Sequence, residues 1–374
     1  MIRIPQMLII GSAGRNTGKT LLASAIINKL GAALPLVGLK VTAIREKDGT
    51  CPRGGDGCGA CSSLEGDFCI TEEKNPESPK DTSRLLAAGA SRVFWLRVMK
   101  DHLEEGISKF PGSIPAGSPI VCESNSARLV VDPGLFLMTK RKDENECKTS
   151  AREVFDLADR IISFDGSGFD LNMDDVSFCD GHWALRECAA AIILAGGKSS
   201  RMGADKSFLP IQGKPMIQRL YENLRGNFDE VLISSSEPDK YAFLGVRVIP
   251  DRFPEHGPLM GIASAMEASS NERNFIIACD IPDPNIRLAR KMLIESEGCD
   301  AVVPVFGNDR MEPLFAVYKK NLLPLIQETL SLGKRRIRDF FEFCNVKNLK
   351  MDGSEAIENI NTMEDYKEYK NDIL

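Results

Sequence analysis

The 374-residue sequence has no apolar run approaching the roughly 18–20 residues that a membrane-spanning helix requires. Its opening, MIRIPQMLIIGSAG, lacks the basic region, long apolar region and small-residue cleavage site of a secretory leader. Positive charge is not in excess either. The net charge of −6 and pI near 5.4 give no footprint for nucleic acid or an anionic membrane surface. Internal repeats and low-complexity tracts are missing, and 43% hydrophobic with 27% charged residues excludes disorder and fibrous architectures. A soluble, cytoplasmic protein is expected.

Cysteine is what the chain has in quantity. There are eleven, and four of them fall between Cys51 and Cys69. An odd number without an export signal argues against a disulfide framework. Cys58-x-x-Cys61 is a chelating pair flanked by Cys51 and Cys69. Four thiolates among Gly and Pro point to Zn²⁺ or an iron–sulfur cluster, the alternative being an unmetallated cysteine-rich loop. The other cysteines sit mostly on apolar strands and are expected in the core.

At roughly 100–200 residues per domain, the length predicts two domains. Short apolar runs alternate with helix-like stretches throughout, which predicts α/β architecture with buried parallel sheets. In the first half the strands are expected at 7–10, 36–39, 92–98, 119–123, 135–139 and 160–164. Helices are expected at 20–30, 83–89, 102–109 and 149–158. Residues 165–188 break the rhythm, and the boundary is placed near 182, giving domains 1–182 and 183–374. In the second half, strands are expected at 191–194, 230–236, 246–250, 275–280, 301–306 and 314–318. Helices are expected at about 215–225, 259–268, 286–296, 321–331 and 335–343. Both halves read as doubly wound.

The strongest chemical signal is LAGGKSSRMGADKSFLPIQGKPM, Leu194 to Met216. A strand runs into Gly196-Gly197, where missing side chains let backbone N–H groups approach a polyphosphate. Arg201 and Lys206 supply positive charge where a pyrophosphate leaving group gains negative charge. A tight turn followed by a solvated basic stretch is the bland alternative. Asp280 ends an apolar strand, where ligands of open α/β sheets bind, and its carboxylate suits Mg²⁺. It could equally cap a helix before Ile281-Pro282. Asp251 follows another strand, as a nucleotide contact or a turn residue. His256 in EHGP and the basic run Lys334, Arg335, Arg336, Arg338 are candidates for substrate contact or for solvated surface.

These motifs resemble the molybdenum cofactor guanylyltransferases. Their pattern L-A-G-G-x-S-x-R-M-G-x-D-K is met at every fixed position from Leu194 to Lys206. VIPDRFPEHGPLMGI (248–262), ACDIP (278–282), PLFAVY (313–318) and NINTMEDY (359–366) continue the likeness across about 189–368. The resemblance implies a Rossmann-like nucleotidyltransferase fold. It also implies that Leu194, Ala195, Gly196, Gly197 and Asp251 contact the guanine nucleotide, Lys206 its phosphates and Asp280 the Mg²⁺. The implied reaction transfers GMP from GTP to the terminal phosphate of molybdopterin, in its Mo or W form, with release of pyrophosphate. A cytidylyltransferase for the same cofactor, or a GTP-dependent cofactor carrier, is the alternative. Glu312 stands where the family usually has Gln.

In the first half, GSAGRNTGKT (11–20) follows the first strand and opens a helix, the setting of a phosphate-binding loop. Gly14, Asn16, Thr17 and Gly18 form its turn, Lys19 reaches phosphate and Thr20 offers a hydroxyl to Mg²⁺. Ala13 replaces the usual first glycine. Glu123 ends a strand like a Walker-B acid, while Asp81 and Arg84 face the terminal phosphate or merely cap and solvate a helix. This half resembles the P-loop adapter proteins of molybdopterin-guanine dinucleotide biosynthesis, through the P-loop, Asp81 ahead of Ala88-Gly89-Ala90, Glu123, and Lys148-x-Ser150-Ala151. The resemblance implies a P-loop NTPase fold; this half alone leaves ATP or GTP open, and the guanylyltransferase likeness of the second half favours GTP. The adapter resemblance also implies apo-molybdoenzymes or other cofactor-biosynthesis proteins as partners, and a homodimer is a further expectation.

Overall fold

The computed structural model describes residues 1–44, 64, 66–143, 147–196, 205–253, 256–307, 309–351 and 357–372. Gly197 and Arg201, and with them Cys51, Cys58 and Cys61, lie outside the described residues. The chain divides into two compact units, Met1–Leu185 and Arg186–Leu374.

Unit 1 contains β1 (Ile2–Ser12), α1 (Lys19–Leu30), β2 (Val37–Ile44), β3 (Phe68–Glu73), α2 (Asp81–Ala87) and β4 (Arg92–Met99). There follow α3 (Leu103–Lys109), β5 (Ile120–Glu123), β6 (Val131–Arg141), α4 (Thr149–Arg152), β7 (Arg160–Phe164) and a hairpin of β8 (Val176–Cys179) and β9 (His182–Leu185). The main sheet runs β3-β4-β2-β5-β1-β6-β7. Its pairings are parallel except at the edge, where β3 is antiparallel to β4. Side chains along β1 alternate between the two faces, as a strand's period of two requires. Met7 and Ile9 join the core under α3, while Leu8 and Ile10 join the core under α1. Both faces are therefore buried, and the strand reads as a continuous apolar run. Helix α1 buries Leu22, Ala23, Ile26 and Ile27, a single stripe at helical spacing.

Unit 2 contains β10 (Glu187–Leu194), the short pair β11 (Pro210–Ile211) and β12 (Lys214–Pro215), α5 (Met216–Arg225), β13 (Phe228–Ser234), β14 (Arg247–Ile249), α6 (Pro258–Ala268) and β15 (Arg273–Ala278). After these come α7 (Ile286–Glu295), β16 (Ala301–Phe306), β17 (Arg310–Met311), β18 (Phe315–Lys319), α8 (Leu323–Ser331), β19 (Val346–Met351) and α9 (Met363–Asp372). The sheet runs β14-β13-β10-β15-β18-β16-β17, and β19 pairs with β16. Strand β10 again splits its side chains between faces. Ala191 and Ile193 pack with α5 and α7 residues, and Ile192 and Leu194 with those of α6 and α8.

Several expectations need correction. Both sheets are mixed: β18 runs antiparallel to β15 and β16. The interval 165–188 contains the β8–β9 hairpin, whose buried Trp183 donates its indole N–H to Gln6 O at 2.8 Å. The helix expected over 149–158 is one α turn followed by a 3₁₀ turn at Phe155–Leu157, and the one over 335–343 is a 3₁₀ segment, Ile337–Phe343. Of the described cysteines only Cys122 and Cys299 are buried; Cys188 is exposed. Cys69, Cys147, Cys179, Cys279 and Cys344 are partly buried.

Candidate functional site

In unit 2, β10 has β13 on one side and β15 on the other, so the chain changes direction across the sheet at β10. A crevice opens at such a switch point beyond the carboxyl ends of the strands. The strand ends are knitted there: Cys279 N donates to Leu194 O at 3.1 Å and Ala195 N to Ser234 O at 2.9 Å. Leu194, Ala195, Gly196, Asp251 and Asp280 are thereby gathered along one sheet edge.

Lys206 reaches this edge from a 3₁₀ turn, Lys206–Phe208. Asp205 caps that turn by accepting from Ser207 N at 3.0 Å and Ser207 Oγ at 2.7 Å, and it is also ion-paired to Lys240. Held at its base, the Lys206 ammonium lies 3.6 Å from Asp280 Oδ2 and donates to Asn361 Oδ1 at 3.3 Å. The other carboxylate oxygen, Asp280 Oδ1, is buried with no hydrogen-bond partner. Burial pushes the Asp280 carboxyl above its ordinary range, and Lys206 opposes this only in part. Burial also pushes the neighbouring Cys279 thiol up to about 12, so it adds no charge. An orphaned, buried carboxylate oxygen beside an ammonium fits a hard divalent cation with oxygen ligands. Among the described residues no group of three or more His, Cys, Asp or Glu is placed to hold a metal, so a cation here would take its remaining ligands from substrate and water.

Asp280 does not cap a helix. Helix α7 starts further on, and Asn285 caps it by accepting from Leu288 N at 3.0 Å. Asp251 accepts from Ser234 Oγ at 3.4 Å, and burial pushes its carboxyl up. Gly261 on α6 backs this pair: a Cβ there would lie 2.6 Å from Ser234 Oγ and 3.3 Å from Asp251 Oδ1. His256 packs its ring on Phe253 at 5.9 Å. Lys334, Arg335, Arg336 and Arg338 are exposed, and Arg338 donates to Met311 O at 3.5 Å. Glu312 is ion-paired to Arg310.

Asn361 was missed as an individual site residue, although its segment NINTMEDY carried a signal. The residue lies on a strap that returns to the site, with Ile360 N donating to Asp280 O at 2.9 Å. Behind the strap, α9 is fastened by Tyr369, which donates to Asp283 Oδ2 at 2.5 Å; Arg219 holds the same carboxylate at 2.8 Å.

In unit 1, β1 ends at Ser12 and α1 begins at Lys19, with Asn16 at φ 55° and Gly18 at φ 78° in the loop between. Gly18 combines a left-handed backbone with a close approach: a Cβ would lie 2.9 Å from the Phe169 ring. Thr17 shares a 2.8 Å hydrogen bond with Thr139. Glu123, only 2% exposed, ends β5 directly beneath α1. Its Oε1 meets Lys19 Nζ at 3.2 Å and Thr20 Oγ1 at 3.0 Å, while Oε2 is buried without a partner. This orphaned oxygen beside a threonine hydroxyl also fits Mg²⁺. Asp81 lies on the same side, ion-paired to Lys40. Burial pushes its carboxyl up, but Lys40, Lys19 and the Thr20 hydroxyl together hold it below the ordinary range. Arg84 is exposed and solvates α2. Cys69, on β3, accepts from Arg97 at 3.5 Å.

Comparison with known proteins gives the setting of the first of these two sites. Residues 191–350 match the family described as the MobA-like NTP transferase domain. A probable molybdenum cofactor guanylyltransferase of Carboxydothermus hydrogenoformans is 38% identical over 181 residues, covering 46% of this chain and 91% of that protein. One of the same description from Pelotomaculum thermopropionicum is 37% identical over 172 residues, covering 46% and 83%. Among solved structures, molybdopterin-guanine dinucleotide biosynthesis protein A of Archaeoglobus fulgidus aligns at TM-score 0.44 with 23% identity, over 49% of this chain and 98% of that one. Through its second half, the chain belongs to the MobA-like nucleotidyltransferases, the family of the molybdenum cofactor guanylyltransferases.

Proposed function

We propose that unit 2 transfers GMP from GTP to the terminal phosphate of molybdopterin, releasing pyrophosphate and giving the guanine dinucleotide cofactor. The observation that carries this reading is Asp280, with one orphaned buried oxygen and Lys206 at its other oxygen, at the sheet's switch point. An oxygen of the pterin phosphate forms the new bond to the α-phosphorus of GTP while the bond to the β-phosphate bridging oxygen breaks. The electron pair leaves with pyrophosphate. No covalent nucleophile on the protein is needed, so catalysis consists of positioning anions and offsetting charge. Lys206, fixed from behind by the Asp205 cap, neutralises phosphate charge, and Arg201 is assigned the leaving group. Leu194 to Gly197 receive the nucleotide through backbone groups, and Asp251 accepts hydrogen bonds from its guanine or ribose. Asp280 would hold Mg²⁺, which would supply positive charge to the phosphates.

Unit 1 is proposed to be a P-loop adapter domain that binds GTP. Gly14, Asn16, Thr17 and Gly18 supply the loop, Lys19 the phosphate contact, and Thr20 with Glu123 the Mg²⁺ shell. Fusion to unit 2 keeps it at high effective concentration near the enzyme. The cysteine segment, with Cys69 its one described member, is proposed as a Zn²⁺ or iron–sulfur site.

The test is pterin-dependent pyrophosphate release with GTP, CTP and ATP in parallel. GTP alone should support release, and Asp280→Ala should lower it by about 10²–10³-fold. Release with CTP would move the base specificity. Tight GTP binding without release from any nucleotide would leave a carrier in place of an enzyme.

A further inference from the structure

Lys40 belongs to no motif described above, yet it stands at the heart of the unit 1 site. It lies on β2, in register with Glu123 on the adjacent β5. Its ammonium is ion-paired to Asp81, and its side chain is 13% exposed. Glu123 contacts Lys19 and Thr20 on α1, and Lys19 is also felt electrostatically by Asp81, the carboxylate that holds Lys40. Glu123 Oε2 is buried and unpartnered at the mouth of α1, which marks this as a place built for a ligand and not only a helix end.

Two lysines and two acids form a group that is neutral without ligand. A phosphate chain arriving at the α1 N-terminus meets Lys19 first, since Lys19 opens that helix. The next anionic group along the chain needs a second cation, and Lys40, held on Asp81 and in register with Glu123, is placed to supply it. We infer that Lys40 is the terminal-phosphate contact of unit 1, parked on Asp81 until a nucleoside triphosphate draws it away. Unit 1 then distinguishes a triphosphate from a diphosphate through this one side chain. The inference rests on the reading of unit 1 as a nucleotide site.

The experiment is equilibrium binding of β,γ-imido-GTP and GDP, each with Mg²⁺, to the full chain carrying Asp280→Ala to weaken the unit 2 site. Unit 1 binding is the part lost on adding Lys19→Ala. Adding Lys40→Met should weaken β,γ-imido-GTP at least tenfold and GDP less than twofold; intact GDP binding also shows that the variant is folded. Asp81→Asn, which leaves the ammonium in place, should keep or increase the triphosphate preference. Equal weakening of both nucleotides by Lys40→Met, or no effect on either, overturns the role of Lys40. So does loss of preference in Asp81→Asn matching that in Lys40→Met. If Lys19→Ala removes no binding at all, the nucleotide reading of unit 1 fails instead, and Lys40 falls with it.

Discussion

Asp280 is the residue where function and stability oppose each other. Its carboxyl is raised by burial, so the folded protein binds that proton more tightly than the unfolded chain does. The native state consequently loses stability as pH climbs from the ordinary carboxylate value through the raised one. Asp280→Asn removes the buried charge, and its melting temperature at neutral pH should exceed that of the parent, with the gap closing in acid. Thermal unfolding without nucleotide or Mg²⁺ at pH 4 and pH 7 measures this; a lower melting temperature at pH 7 would contradict the electrostatic account. On the proposal that Asp280 takes Mg²⁺, the free enzyme needs this carboxylate ionised, so its raised value should set the acidic limb of kcat/KM. That limb should lie above the ordinary Asp range, and a limb within the ordinary range would contradict the role.

Elements hold these residues in place, and the C-terminal helix shows how. Helix α9 supplies none of the proposed nucleotide contacts, but its Asp365 accepts from Asn361 N at 2.8 Å and lies within electrostatic reach of Lys206. Its Tyr369 is tied to Asp283, and the preceding strap sets Asn361 against Lys206. Tyr369→Phe loses one hydrogen bond to a charged acceptor and should cost about 1.5–3 kcal/mol in denaturant unfolding. If α9 positions the strap, KM for the nucleotide should rise as well, and restoring Tyr should return both. Much of this layer was legible in the sequence. Strand β10, the loop at Leu194–Gly196 and the apolar run ending near Asp280 stand where alternation and glycine placed them. Strand direction was not legible, because β3 and β18 owe their antiparallel pairing to neighbours remote in sequence. The β8–β9 hairpin was hidden because its buried Trp183 sits among Gly, Asp and Asn that read as loop. Lys40 was hidden for a related reason: one lysine inside an apolar strand is conspicuous only when the Asp81 carboxylate is found opposite it.

At the scale of the molecule, two units each bring an acid with one buried, orphaned oxygen next to a lysine, Asp280 with Lys206 and Glu123 with Lys19. Two nucleotides per chain are therefore expected by isothermal titration with a non-hydrolysable GTP analogue. Lys19→Ala should reduce the number to one and leave pterin-dependent pyrophosphate release within about twofold of the parent when GTP saturates. Abolished release in that variant would mean that the first unit gates the second. Around Lys19 and Lys40 the counter-ions are built in, as Glu123 and Asp81. In the proposed exchange an arriving phosphate displaces a tethered carboxylate and not a sodium or chloride ion from solution, so few bulk ions are released. Affinity at this site should vary little with ionic strength, unlike that of an open basic groove, whose grip on phosphate falls away as salt rises.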